Sequence, residues 1–446
     1  MFRRSPRPTS RVSSSTPTST TDRAARIPMD GHHPEKAPVA REDDRPVPAS
    51  SATPSPLPIL LRERAAIFLL GFAAFLPLYA PQSVLPQLAS SFSASPAETG
   101  AVIGATTLAV ALSAPLAGPL TDRFGRKRSM LTAISLLVPL TLLLTLCGSL
   151  DQLLAVRFIQ GIVLPALFTG AVAYIGTRWE GARGASVTGM FVTGSAIGGF
   201  AGRFVSGLLA DLAGWQSGFA ALAVVSALCA VFVALWLTPD AARRTGSILS
   251  NLRGMKEHLR DGRIRAVSLC GGTVLFSMTG CLSYLGFHLA EPPFGLTAAG
   301  IGLVFLVYPL SATAPLVNSR LLRSLGTGNA YRVAFGVCAV GQLLLLLPNL
   351  AAVTVGTGIF LGGVFLCQSL ALGYVGRVAT TNKGAAAGLY VCCFYLGGSL
   401  GAIAPGLLWK TAGWSGCVAL VLAALSTGAL ISLAMREGSR IVAEPA

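Results

Sequence analysis

The chain has 446 residues, of which 52% are hydrophobic and only 12% charged, with 50 glycines and a formal charge of +16. A water-soluble surface takes about 25% charged residues, so an ordinary soluble enzyme is excluded. The basic residues lie between apolar runs rather than interleaved with aromatics on a polar face, which excludes a nucleic-acid groove.

Residues 1–61 are rich in Ser, Thr, Pro and Arg and hold almost no apolar run. Such a segment buries too little surface to offset chain entropy, and a disordered cytoplasmic tail is expected. No apolar segment follows the early arginines in the manner of a secretory signal. From Arg62 onward, apolar runs alternate with short polar breaks. A spanning helix takes about 20 mostly apolar residues, and twelve such runs follow: 64–89, 98–120, 129–149, 151–176, 184–210, 215–237, 265–289, 298–320, 330–349, 352–377, 384–408 and 414–435.

The distribution of Lys and Arg fixes their expected direction. With a cytoplasmic start, the inner loops carry Arg123, Arg126, Lys127 and Arg128; Arg178 and Arg183; Arg243, Arg244, Arg253, Lys256, Arg260 and Arg263; Arg320 and Arg323; and Lys383. The outer breaks carry only Lys410. Both termini are therefore expected inside a bacterial cytoplasmic membrane. Residues 62–237 form a first six-helix half, 238–264 a central cytoplasmic loop, and 265–446 a second half with a short tail. Within the loop, SILSNLRGMKEHLR reads as an amphipathic helix lying on the anionic inner leaflet.

Two halves are also written into a repeat. Residues 181–215 align without a gap to 380–414, pairing Gly198 with Gly397, Gly202 with Gly401, Gly207 with Gly406, and Gly214–Trp215 with Gly413–Trp414. Gly194, Gly198 and Gly202 recur at intervals of four and, with Gly397 and Gly401, are expected to form helix–helix contact surfaces. The nine cysteines lie in or beside apolar runs without metal-ligand spacing and read as free thiols. No metal, cofactor or catalytic cluster is expected.

Between the second and third runs lies Gly118-Pro-Leu120-Thr-Asp122-Arg123-Phe-Gly125-Arg126-Lys127-Arg128, and the fourth opens Leu153-x-x-x-Arg157-x-x-Gln160-Gly161. These stretches resemble the two signature motifs of the major facilitator superfamily. The span-one stretch LYAPQSVLPQLA, GRFVSG and GLYVCCFYLGGSLG are similar to the drug:proton antiporters of its acriflavine-sensitivity branch. The resemblance implies an all-α integral membrane fold of two pseudo-symmetric halves, and a secondary transporter rather than an enzyme. It also implies that Asp122 latches the halves by meeting Asn382-Lys383-Gly384. In the second half, 318–326 carry no acid at the matching place, so no opposing latch is expected.

Gly118 and Gly125 are expected to permit close helix approach and a tight turn. Arg157, inside an apolar helix, should face the bundle interior, because a charge there costs at least about 2.5–3.5 kcal/mol. It either binds an anion, tunes a proton carrier, or is satisfied by backbone carbonyls. Arg203 either pairs with Asp211 or lines the outer vestibule. The pair His288 and Glu291 offers the best protonatable groups, His288 titrating near neutrality. Tyr79, Gln82, Tyr284, Gln368, Tyr390 and Phe394 are the cavity candidates. Aromatics with few fixed charges suit a neutral or cationic amphipathic solute. The expectation is a monomer exporting such a solute, with protons as the coupling ion. A sugar or metabolite exporter on the same fold, and a non-transporting receptor, are the alternatives.

Overall fold

A computed structural model describes residues 57–240 and 247–435. Most of the expected tail, Arg243, Arg244 and residues 436–446 lie outside the described residues. All elements among the described residues are helical: α1 (Leu57–Phe75), α2 (Leu85–Ser91), α3 (Pro96–Phe124), α4 (Arg126–Leu143), α5 (Leu150–Arg178), α6 (Gly181–Ala213), α7 (Trp215–Trp236), α8 (Ile248–His258), α9 (Gly262–Ala290), α10 (Ala298–Val304), α11 (Val307–Ser311), α12 (Asn318–Leu344), α13 (Leu350–Val378) and α14 (Lys383–Ile431). The first span starts earlier than its sequence implies, because α1 begins at Leu57 and carries Arg62 to Arg64 within it.

Among the described residues, nine helices are long and apolar enough to cross a membrane. Two of these are pairs of spans in series. In α14, Gly413 has φ +55°, and Cys417 Sγ lies 3.3 Å from the carbonyl of Pro405. Twelve residues of straight helix would separate those positions by about 18 Å, so the chain turns back at Gly413. In α12 the kink falls at Gly326, φ +71°. Ser311 before it and Cys338 after it both bond α13, at the carbonyls of Gly358 and Phe360. With these reversals, and α1 and α2 read as one broken span, the architecture is consistent with twelve spans in two halves.

The break in the first span follows from its prolines. Pro77 has no N–H to continue α1 and disfavours helical geometry at Leu76. The chain runs through a turn and a short 3-10 segment, Ala80–Ser83, before α2. Carbonyls of this stretch therefore lack helix partners, which matters for the site. Other ends are capped by polar side chains. Ser95 and Glu98 form a capping box on α3, with Pro96 at the first position. Asn349 Oδ1 accepts from Ala351 and Ala352 at the start of α13.

The glycine rows pack as their spacing predicts, and the two halves do so alike. A Cβ at Gly194, Gly198 or Gly202 would sit 2.1, 2.2 or 2.0 Å from the α1-side carbonyls of Phe68, Phe72 or Leu76. One at Gly397 or Gly401 would sit 2.0 or 2.1 Å from the α9 carbonyls of Gly272 or Phe276. Only glycine allows backbones this close.

The central-loop helix also makes contacts with the bundle that its pattern did not announce. It forms, over Ile248–His258, and packs one face against the bundle while Ile248, Leu249 and Leu252 stay exposed. Asn251 Nδ2 donates to the carbonyl of Pro115 in α3 at 2.9 Å, and Gly254 packs on Asn382 and Ala385 at the start of α14. The reason is the bare backbone at Gly254, which lets α14 approach, with Met255 buried beside it.

Candidate functional site

The end of the bundle that carries the basic loops is here called the basic end, and the other the far end. The halves meet closely at the far end. A Cβ at Gly207 in α6 would be 2.3 Å from the carbonyl of Ala298, and one at Gly406 in α14 would be 2.6 Å from Ala97 Cα. Asp211 spans the first of these contacts. Its carboxylate accepts from the backbone N–H groups of Ala298 (3.1 Å) and Ala299 (2.8 Å), and from Gln87 Nε2 (3.2 Å). Asp211 thus makes, at the far end, a carboxylate-to-helix-N-terminus contact of the kind the resemblance implies for Asp122 at the basic end. A cavity of about 330 Å³ opens beside it, lined by Ser83, Gln87, Ser90, Thr297 and Ile301 among others. At the basic end the first third of α6 is exposed on nearly every face, with Val187 alone buried among 180–189.

Between these ends lies a cluster drawn from both halves. Arg203, in α6, is 0% exposed. Its Nε donates to Gln82 Oε1 at 2.8 Å and its Nη1 to the carbonyl of Gly199 at 2.6 Å, while Nη2 makes no hydrogen bond of normal geometry and the Tyr308 hydroxyl interacts with the guanidinium. The guanidinium lies 5.1, 5.0 and 4.9 Å from the ring centroids of Tyr79, Phe305 and Tyr308. Gln82 continues the cluster into α9, donating from Nε2 to Ser283 Oγ at 3.2 Å. Arg203 does not pair with Asp211: that carboxylate is engaged by α10, and no ion pair among the described residues includes Arg203. The face of Tyr79, which was expected to receive a cationic solute, is taken by this guanidinium, as is that of Tyr308.

Arg157 is as deeply buried but fully engaged. Its Nη1 donates to the carbonyl of Pro77 (2.9 Å) and to Gln160 Oε1 (2.9 Å), Nη2 to the carbonyl of Leu78 (2.6 Å) and Nε to that of Val102 (3.3 Å). Gln160 passes the network to Thr141. Arg157 thus occupies the carbonyls freed where Pro77 breaks the first span. Gly161, next in the motif, lets α5 approach the α3 backbone at Thr106.

The first motif fastens elements of the first half together. Arg126 donates from Nη2 and Nε to Asp122 Oδ1 (3.1 and 3.3 Å) and from Nη1 to Thr177 Oγ1 (2.7 Å). The backbone N–H of Lys127 donates to Asp240 beyond α7 (3.1 Å), and its ammonium to the carbonyl of Ala234 (2.9 Å). Gly125 turns the chain with φ +89°, as its place predicts. Gly118 does not mediate a close approach: nothing lies within 4 Å of where its Cβ would be. Arg123 lies over Phe124.

The remaining candidates scatter. His288 stacks on Trp414, centroids 4.9 Å apart and planes 8° apart, with Phe294 edge-on; Glu291 is exposed, and no ion pair joins the two. Tyr284 donates to the carbonyl of Ala402 at 2.7 Å and packs against Gly100 of the other half. Tyr390 and Phe394 stack on one another. Gln368 is part-buried on α13. Of the six cavity candidates, the structure brings Tyr79 and Gln82 to the cluster.

Sequence reasoning missed Phe305, Tyr308 and Ser283 there, and also Glu63. Glu63 is 0% exposed, accepts from Arg178 at 2.8 Å, and meets Tyr174 and Thr238, tying α1, α5 and the end of α7. The apolar residues 57–61 ahead of it were the signal that the helix begins earlier.

The Major Facilitator Superfamily family model matches residues 67–402. The inner membrane transport protein YnfM of Escherichia coli K12 is 28% identical over 380 residues, covering 84% of this chain and 90% of YnfM. The multidrug transporter MdfA of Yersinia pestis is 34% identical over 164 residues, which is 35% of this chain and 38% of MdfA. Among solved structures, the nucleoside transporter NupG superposes with a TM-score of 0.69 at 13% identity, over 84% of this chain and all of NupG. The chain is thus a multi-pass membrane protein belonging to the Major Facilitator Superfamily.

Proposed function

We propose that the protein exports a small amphipathic solute across a bacterial inner membrane, in exchange for protons, by rocking one half against the other with the basic end in the cytoplasm. The observation that carries the reading is the arrangement around Arg203. Polar and aromatic groups from both halves converge there, below a far end where the halves are in backbone contact, and above a basic end where α6 is bare. Solute sites in such transporters lie where the two halves meet, and closure of one end with exposure of the other is what alternation needs. The positive-inside distribution supports the direction of insertion. The partial likeness to the multidrug transporter MdfA supports a small-molecule solute.

The test is everted vesicles carrying the purified protein, with an acid interior imposed. Lipophilic cations, neutral sugars and aryl acids are added in turn, and vesicles without the protein serve as control. The reading predicts that at least one labelled solute accumulates inside while the pH gradient collapses. Solute that equilibrates with the gradient intact contradicts proton exchange and leaves a facilitator. No movement of any solute contradicts transport.

A further inference from the structure

Arg203 holds a full charge at 0% exposure, yet it is not finished in the way a structural arginine is. Two of its three nitrogens make hydrogen bonds, the third, Nη2, makes none of normal geometry, and the Tyr308 hydroxyl interacts with the guanidinium. A charged donor left open in a water-poor interior is costly, and such groups persist where something binds them. Arg157 shows how this fold builds an arginine as a brace: every nitrogen is bonded, three of the four acceptors being backbone carbonyls.

Three further facts separate Arg203 from a brace. Its surroundings come from both halves, with Tyr79 and Gln82 on one side and Phe305 and Tyr308 on the other. Its counterpart in the repeat is Ala402, so the shared scaffold folds without a guanidinium at this place. No carboxylate among the described residues neutralises it.

We propose that Arg203, with Gln82 and the rings of Tyr79, Phe305 and Tyr308, is an anion subsite that holds the carboxylate of an aryl-bearing amphipathic solute between the halves. The inference rests on the transport reading above and names its substrate class. The open N–H edge of the guanidinium supplies a charge-assisted bond to a carboxylate oxygen. The rings supply faces and edges for an aryl body. The buried cation repels an amine, and offers a neutral amide only a weaker hydrogen bond. Tyr395, within electrostatic reach of Tyr79 and Tyr308 and stacked on Phe168 at 6.1 Å, extends the aromatic wall across the halves.

The experiment uses the full-length purified protein and three matched sets of probes: benzoate, naphthoate and indoleacetate; their primary amides; and the corresponding arylmethylamines. Thermal unfolding midpoints are titrated against each, and counterflow of the labelled compounds is followed in proteoliposomes. The expected result is an apparent Kd for at least one acid about tenfold or more below that of its amide, with no midpoint shift from the amines. Arg203→Gln should bring acid and amide to the same affinity, and Arg203→Lys should retain part of the difference. Acids that bind no better than amides or amines, or not at all, overturn the subsite. So does an acid preference that survives in Arg203→Gln. If that variant fails to fold, the comparison of acids with amides on the unaltered protein decides alone. Transport of amines or sugars without acid preference overturns the subsite and leaves the transport reading intact. Midpoint shifts by acids with no solute movement support the subsite and contradict transport.

Discussion

Glycines rest on carbonyls both inside a half and between the halves, where Gly207 meets Ala298 and Gly100 meets Ala402, but the polar bonds of the two kinds of contact are built differently. Inside the first half, glycines of α6 rest on carbonyls of α1, Arg157 fills the broken first span, and Glu63 pairs with Arg178. Inside the second, the same glycine rows rest on α9. These bonds end on backbone or on buried partners and have no evident alternative. Between the halves, the bonds are fewer and more exchangeable: an exposed Asp211 on two backbone N–H groups, Gln82 on Ser283, and a half-satisfied Arg203 among rings. The difference teaches which contacts make rigid bodies and which ones a rocking motion must break.

The sharpest way to break this comparison is to wedge a rigid body. Gly198→Leu and its repeat partner Gly397→Leu should each cost about 3 kcal/mol or more, because the new side chain meets backbone that cannot yield. Both should show as lost folded yield and a lowered midpoint in detergent. A variant that folds normally would deny the close approach of α6 or α14.

Next in size is the contrast between the two arginines. Arg157→Met strands the carbonyls of Pro77 and Leu78 and should cost about 3 kcal/mol of stability. Arg203→Met removes a buried charge that has no counter-ion, so stability should move by about 1 kcal/mol or less, while transport of acids is lost. Thermal unfolding of the two side by side checks this. Equal destabilisation would make Arg203 a brace as well.

Asp211→Ala addresses the far-end contact. Asp211 is exposed, so water replaces much of what it gives and the stability loss should be about 1 kcal/mol. The larger consequence is a shift of state. A cysteine placed by Ala298→Cys should react faster with an impermeant maleimide in the Asp211→Ala background, measured above the signal from the native thiols. Unchanged reactivity would show that Asp211 does not hold the halves.

The smallest effect lies at the start of α9, where Asp261 accepts from the backbone N–H of Arg263 at 2.9 Å. Burial pushes its carboxyl up, but the hydrogen bonds from Arg263 and the nearby guanidinium outweigh it and hold it below the usual carboxylate range. A depressed value means stabilisation that is present above the ordinary carboxylate range and lost as pH falls through the folded value. The site is part-exposed and screened, and Asn still caps, so Asp261→Asn should cost less than about 1 kcal/mol at neutral pH. That difference should vanish in acid, as read from unfolding midpoints at several pH values.

How much of this was legible in the sequence depended on what kind of partner each residue has. The spans, the repeat and the glycine rows were legible, since apolar length and an interval of four need no knowledge of a partner. The loop helix was legible from its amphipathic pattern, but its docking on Asn382 was not, because a glycine contact leaves no polarity signal. Arg157 could be read as buried but not as satisfied: its partners are backbone carbonyls freed by Pro77, which carry no side-chain signature. Tyr308 and Phe305 were invisible as neighbours of Arg203, because they sit about a hundred residues away in the other half. Asp211 was seen only as a partner for Arg203, since charge alone ranks a guanidinium above two backbone N–H groups.

The central claim is that the far-end contact must open for solute to cross. The direct test is a removable bond across it, formed by Asp211→Cys with Ala299→Cys, where the native carboxylate and backbone N–H are 2.8 Å apart. Counterflow in proteoliposomes is measured after oxidation and again after reduction. The account predicts that transport stops when the disulfide forms and returns when it is reduced. Transport at the full rate with the disulfide in place would contradict it.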